Sequence, residues 1–201
     1  NASKEYYLTD IVALCNSENK KIKAINLGDT SELLGANNNQ ELQNLERIYQ
    51  KETALSFLKN GVKFADINRV DFRGEVSIGK NVFIDINVVL EGKVTIGSDS
   101  NISAGAVIRN SSLGKKTKVE PYSVIENSKI GDNSMIGPFA HIGPGADLAN
   151  DVEIGNFVEV KRSTISQKTK AKHLAYIGDG AIDSNVNVGA GTIFVNYDGK
   201  N

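Results

Sequence analysis

Few side chains in this 201-residue sequence can do acid–base or metal chemistry: there are two histidines, His141 and His173, and a single cysteine, Cys15. An imidazole, with an unperturbed pKa of about 6.5, can take a proton near neutral pH. Lys161, followed by Arg162, can meet an anionic oxygen as a point charge with three donors. Tyr176, Asn187, Asn196 and Tyr197 add hydroxyl and carboxamide groups that can hold a polar substrate. Taken singly, each has a plainer reading: a surface histidine, a solvated lysine, Tyr and Asn that stack or turn the chain. Two imidazoles also fall short of the three histidine ligands that a zinc hydratase on this kind of scaffold needs, so no zinc is expected.

What must position these groups is a repeat. Phe72, Ile78, Ile84, Leu90, Ile96, Ile102 and Ile108 are each six apart. After a step of five, Leu113, Val119 and Ile125 follow, and after another come Ile130, Ile136, Ile142, Leu148, Ile154 and Val160. Ile165, Ala171, Ile177, Ile182, Val188 and Phe194 complete the series. A period of six belongs neither to a helix nor to an ordinary alternating strand; it is the mark of a solenoid. Three hexapeptides make one coil of a triangular prism, with an apolar residue pointing inward on each face and a small or polar residue bending each corner. Stacked at roughly 4.8 Å, about seven coils make a prism roughly 34 Å tall.

On that register Phe72, Leu90, Ile108, Ile125, Ile142, Val160, Ile177 and Phe194 form one interior column. Gly143, Lys161 and Gly178 share the column after it, His141, Glu159, Tyr176 and Ile193 the column before it, and Asn156, His173 and Ala190 another. The candidate residues therefore converge on one edge of the prism. His141 and His173 stand in different columns, which again argues against zinc.

Ahead of the repeat, Thr9 and Asp10 precede an apolar run that predicts a short capped helix, Lys21 to Leu27 alternates like a strand, and Asp29 to Leu34 reads as a turn. Asn38 with Glu41 resembles a capping box, and Leu42, Leu45, Tyr49, Leu55 and Leu58 give an amphipathic helix over Gln40–Asn60. A net charge of −1 makes no electrostatic case for nucleic acid or an anionic membrane. No apolar run approaches the ~20 residues of a membrane span. A lone cysteine allows no intrachain disulfide, so a reducing cytoplasm is the expected setting.

The segments Glu5-Tyr6-Tyr7-Leu8-Thr9-Asp10, Gly35-Ala36-Asn37-Asn38, Gly155-Asn156-Phe157-Val158-Glu159-Val160-Lys161, His173-Leu174-Ala175-Tyr176, Asn187-Val188-Gly189-Ala190-Gly191-Thr192 and Asn196-Tyr197-Asp198-Gly199 resemble the bacterial bifunctional N-acetylglucosamine-1-phosphate uridyltransferase/glucosamine-1-phosphate acetyltransferases. The resemblance implies a mainly β fold, a left-handed parallel β-helix. Residues 1–39 would be a remnant of an α/β nucleotidyltransferase domain, 40–61 a linker helix, and 62–201 an acetyltransferase β-helix truncated at its C-terminal end.

It implies two activities. A homotrimeric solenoid acetylates glucosamine 1-phosphate from acetyl-CoA, and the N-terminal domain, with UTP and Mg2+, converts N-acetylglucosamine 1-phosphate to UDP-N-acetylglucosamine, a precursor of cell-wall polymers. By the same resemblance His173 is the catalytic base, Lys161 holds the sugar phosphate, Tyr176 and Asn187 hold the sugar, Ala190, Asn196 and Tyr197 contact acetyl-CoA, and Asn37 contacts magnesium and the nucleotide sugar. One position departs from the family: Gly143 stands where an arginine is expected, one coil below Lys161, so phosphate binding should be weakened unless His141 or Arg162 substitutes. Another hexapeptide-repeat acyltransferase, acting on a different amine or hydroxyl, is the alternative.

Overall fold

The computed structural model describes residues 7–26, 28, 34–197 and 199. From Lys63 onward the chain winds into a parallel β-solenoid of strands two to four residues long. Two strands are longer: Glu153–Lys161 and Lys170–Gly178, of nine residues each. Strands one coil apart pair in parallel, with Phe72 opposite Leu90, then Ile108, Ile125, Ile142, Val160 and Ile177 in succession. This is the interior column expected from the period, and from Leu90 to Ile177 its members are 0% exposed. One face is a seven-stranded sheet, which matches the expected number of coils. The other two faces join into one sheet because Glu153–Lys161 and Lys170–Gly178 run round a corner without a break.

Each isoleucine or leucine taken into the stack contributes roughly 1.5–3 kcal/mol before conformational entropy is subtracted. Polar side chains at the inner turns are satisfied between coils. Ser100 Oγ donates to Gly114 O at 3.1 Å, and Thr117 N donates back to Ser100 Oγ at 3.1 Å. Among the described residues, no buried side-chain nitrogen or oxygen lacks a partner.

Each corner is turned by a residue in the left-handed region, and these residues stack in three columns. One holds Asn81, Asp99, Lys116, Asn133, Asp151, Lys168 and Asn185, and another Asn110, Asn127, Arg162 and Asp179, polar as expected. The third differs: Tyr122, Phe139, Phe157 and Leu174 occupy it, with φ between 43° and 57°. A non-glycine residue in this region costs roughly 1–2 kcal/mol. Here the stacked rings offset part of that cost, Tyr122 on Phe139 at 5.5 Å and Phe139 on Phe157 at 5.7 Å between centroids. The column stays exposed, 58% for Phe157 and 60% for Leu174.

The glycines that follow inward positions are required by close approach rather than by φ. A Cβ on Gly97 would lie 2.5 Å from the carbonyl carbon of Gly114, and one on Gly131 2.5 Å from that of Ala149.

Helix α1 spans Asp10–Ser17 and helix α2 spans Asn39–Lys59. The expected Thr9 cap on α1 does not form, because Thr9 is itself helical and makes no side-chain cap bond. The strand expected over Lys21–Leu27 is also absent, residues 21–26 having no regular structure and no partner strand. Leu27, and 29–33 of the expected turn, lie outside the described residues, as do Glu5, Tyr6 and Asp198.

The box that opens α2 does close, Glu41 N donating to Asn38 Oδ1 at 2.9 Å. Its buried face, however, is not the leucine stripe. Leu42 and Tyr49 are 59% and 55% exposed, whereas Gln50 and Ala54 are buried and Phe57 stacks on Phe72 at 5.3 Å. The reason is Gln50, whose carboxamide accepts from Phe72 N at 2.7 Å and donates to Phe72 O at 2.8 Å, taking the place of a neighbouring strand at the first coil. Gln50→Ala would strand both backbone groups, and is expected to cost roughly 2–4 kcal/mol. Urea denaturation reads this directly; an unchanged midpoint would mean that the helix does not seal the coil.

Candidate active site

The two nine-residue strands place the candidate residues on both sides of the apolar corner. In register, Asn156 lies opposite His173, Glu159 opposite Tyr176, and Lys161 opposite Gly178. Ile193 bridges to Tyr176, which continues the predicted His141, Glu159, Tyr176 column. The corner at Phe157 and Leu174 separates these groups. Asn156, His173 and, one coil on, Ala190 stand on one face, and Lys161 and Tyr176 on the next.

His173 is exposed, and its Nδ1 is 2.8 Å from Asn156 Oδ1. A hollow of about 250 Å³ opens beside the pair, walled by Pro138, Ile154, Gly155 and Lys172. The sequence reading missed Asn156 as a partner. Its signal was there in the 17-residue coil spacing that separates it from His173.

On the adjoining face Asn196 Nδ2 donates to Tyr176 Oη at 3.0 Å and also reaches Asp179. Arg162 pairs with both oxygens of Asp179, at 2.5 and 2.6 Å. The Arg162 hydrogen bonds, then that of Asn196, hold the Asp179 carboxyl down to about 2 from its ordinary 3.8. Asp179 is therefore ionised at neutral pH and keeps Arg162 turned to itself. Asn187 pairs in register with Lys170 and is exposed, as is Tyr197.

The column through Gly143 reads Arg73, Glu91, Arg109, Glu126, Gly143, Lys161. Cation and anion alternate up to Glu126, and the next member in that alternation would be a cation. Gly143 leaves the place empty although nothing in the fold requires glycine there. A Cβ would meet Val160 O at 3.4 Å and His141 Cε1 and Lys161 Cβ at 3.7 Å, ordinary contacts. Neither residue considered as a substitute is free. Arg162 is held by Asp179, and His141 lies between carboxylates, Nε2 3.1 Å from Glu126 and Nδ1 3.7 Å from Glu159.

Asn37 is far from this edge, in the turn that opens α2. Its backbone N–H and its Nδ2 both donate to Glu41 Oε2, at 2.7 and 3.2 Å. The Asn37 backbone bond, with the side-chain bonds of Asn37 and Asn38, draws the Glu41 carboxyl below its usual range. One carboxamide committed to a helix cap does not fit a magnesium ion, which demands near-octahedral oxygen ligation. Among the described residues no group of three or more His, Cys, Asp or Glu side chains is placed to hold a metal.

This architecture with its hexad period defines a class, and two family models agree with it. "Bacterial transferase hexapeptide (six repeats)" matches residues 127–162, and "GMPPB C-terminal domain" matches residues 72–143. The chain belongs to the hexapeptide-repeat transferases, whose coil is the left-handed parallel β-helix. Within that class it is similar along its whole length to the bifunctional protein GlmU of Baumannia cicadellinicola subsp. Homalodisca coagulata, with 48% identity over 201 residues. The resemblance drawn from the sequence motifs thus holds for 100% of this chain, which spans 43% of that relative.

Among solved structures, the acetyltransferase domain of PglB from Neisseria gonorrhoeae FA1090, in complex with acetyl coenzyme A, is 17% identical with a TM-score of 0.44, covering 59% of this chain and 56% of that one. The H141N mutant of perosamine N-acetyltransferase from Caulobacter crescentus, in complex with CoA and GDP-perosamine, is 17% identical with a TM-score of 0.34, covering 73% and 63%. At those scores neither bears on the chemistry of this chain.

Proposed function

We propose that this protein serves UDP-N-acetylglucosamine synthesis, and that its solenoid transfers acetyl from acetyl-CoA to the amine of glucosamine 1-phosphate. The observation that carries this reading is His173, bonded through Nδ1 to Asn156 with Nε2 left free, at a corner flanked by Lys161 and Tyr176, in a chain 48% identical to GlmU throughout. Nε2 takes a proton from the substrate ammonium, and the freed amine attacks the thioester carbonyl. As the C–S bond breaks, the proton passes to the departing CoA thiolate. Lys161 meets the phosphate, Tyr176 and Asn187 hold the sugar, and Ala190, Asn196 and Tyr197 line the approach of acetyl-CoA.

A sugar that touches both His173 and Lys161 must span the exposed column of Phe139, Phe157 and Leu174. That supports a site completed by a second copy, and hence a homotrimer in which this column is covered. The same reading divides the chain into a nucleotidyltransferase remnant over 1–39, a linker helix over 40–61 and the acetyltransferase over 62–201, in a cytoplasmic enzyme. Among the described residues no helix is long and apolar enough to cross a membrane. Uridyl transfer from UTP to N-acetylglucosamine 1-phosphate, with Mg2+, belongs to the relative's other activity. Toward it this chain offers Asn37, and no step of that reaction can be assigned to the described residues.

Gly143 above Glu126 favours a second reading, acyl transfer to an amine or hydroxyl that carries no phosphate. Thiol release from acetyl-CoA, measured with glucosamine 1-phosphate and with unphosphorylated acceptors, separates the two. Gly143→Arg restores the alternation of charge at a position with room for a side chain, and is expected to lower KM for glucosamine 1-phosphate roughly tenfold to a hundredfold. An unchanged KM would remove this column from the phosphate site. Light scattering on the same preparation tests the assembly, a mass of one chain ruling out the trimer.

A further inference from the structure

His173 can act as a base only through the ring nitrogen that bears no proton, and in neutral imidazole the partner of one nitrogen decides which that is. The partner here is Asn156, in register one coil below, with Oδ1 2.8 Å from Nδ1. A carboxamide oxygen only accepts, so Nδ1 donates and the lone pair is left on Nε2.

The backbone on either side of Asn156 fixes its place. At Gly155 the chain passes so close beneath the Lys172 carbonyl that no side chain fits, which brings the next residue up under His173. Phe157 then turns the corner at φ 56°, so the strand cannot slide to present another residue. The hollow walled by Pro138 and Ile154 adjoins both side chains and offers few polar groups to compete for the ring. The choice of an uncharged acceptor also suits transfer: it orients the imidazole without adding an anion that would retain the proton once it arrives.

We infer that Asn156 is a positioning residue that holds His173 in the Nδ1–H tautomer, with Nε2 free to take the amine proton. The catalytic half of this statement rests on the acetyl-transfer reading; the tautomer half does not.

The test is nitrogen-15 NMR of His173 in the whole protein, together with steady-state acetyl transfer. The unaltered protein is expected to show Nδ1–H. Asn156→Leu is expected to give a mixture of tautomers and to lower kcat roughly tenfold or more, with KM for both substrates held. Asn156→Asp keeps an acceptor at the same place, and should retain Nδ1–H and most of the turnover. Asn156→Ala removes the acceptor without bulk and replaces the leucine variant should that one fail to fold.

A protein in which His173 carries its proton on Nε2, or in which loss of the acceptor changes neither tautomer nor kcat, overturns the proposal. If acceptor loss shifts the tautomer but no variant, including the unaltered protein, acetylates glucosamine 1-phosphate, the orienting role stands and the assigned reaction falls.

Discussion

Alanine in place of His173 is expected to cut thiol release from acetyl-CoA by about 10²–10⁴-fold, the usual worth of a positioned general base. The loss should fall on kcat, and the melting transition should not move. The imidazole is exposed and makes one side-chain hydrogen bond, to Asn156, while its strand is held by backbone pairing on both sides. Nothing in the packing depends on the ring. Nor can the other histidine stand in: His141 lies in a different column, and both of its ring nitrogens face carboxylates. Steady-state kinetics decides the matter. A variant that keeps kcat and loses only KM would show that His173 binds substrate and that the proton leaves by another route.

Ile154→Asp should abolish cooperative melting of the coils around it. Ile154 is 1% exposed and pairs with Ile136 below and Ala171 above, so its side chain has interior neighbours on every side. Removing the isoleucine forfeits roughly 2–5 kcal/mol. The carboxylate then finds no cation in the stack and adds an unpaired buried charge worth several kcal/mol more. Against a total stability of about 5–15 kcal/mol for a domain, that sum unfolds the region. Circular dichroism on heating would show a lost or much lowered transition; a variant that melts cooperatively beside the unaltered protein would place Ile154 on the outside and overturn the register.

Much of the solenoid was legible because one rule repeats. Apolar residues six apart, with short steps after Ile108 and Ile125, gave the interior column from Phe72 to Ile177 and the outward columns beside it, and these pair as read. What the period could not carry were features outside its own alphabet. The corner of Tyr122, Phe139 and Phe157 was expected to be small or polar, because single-residue preference puts glycine and asparagine at positive φ. Ring stacking between coils is a contact at a separation of 17 or 18, which no local preference records. Gln50 was invisible for a related reason: hydropathy marks Leu42 and Tyr49 as the inner face of α2, whereas the face is chosen by a carboxamide that can mimic a strand. In the candidate site the stacking located Lys161, Tyr176 and His173 around one edge. It did not separate the two faces of that edge, nor show that Arg162 and His141 are engaged by Asp179, Glu126 and Glu159.

Gln50 also bears on how such molecules meet. A pile of parallel coils has no natural end, because the amides and carbonyls of its lowest turn are a template on which a second prism could settle head to tail, and repetition of that step makes a fibre. By occupying the N–H and C=O of Phe72, the glutamine withdraws the place where such docking would begin. Growth along the axis is blocked there by one side chain, and encounters between copies are turned to the flanks, where association closes on itself and stops at a fixed number.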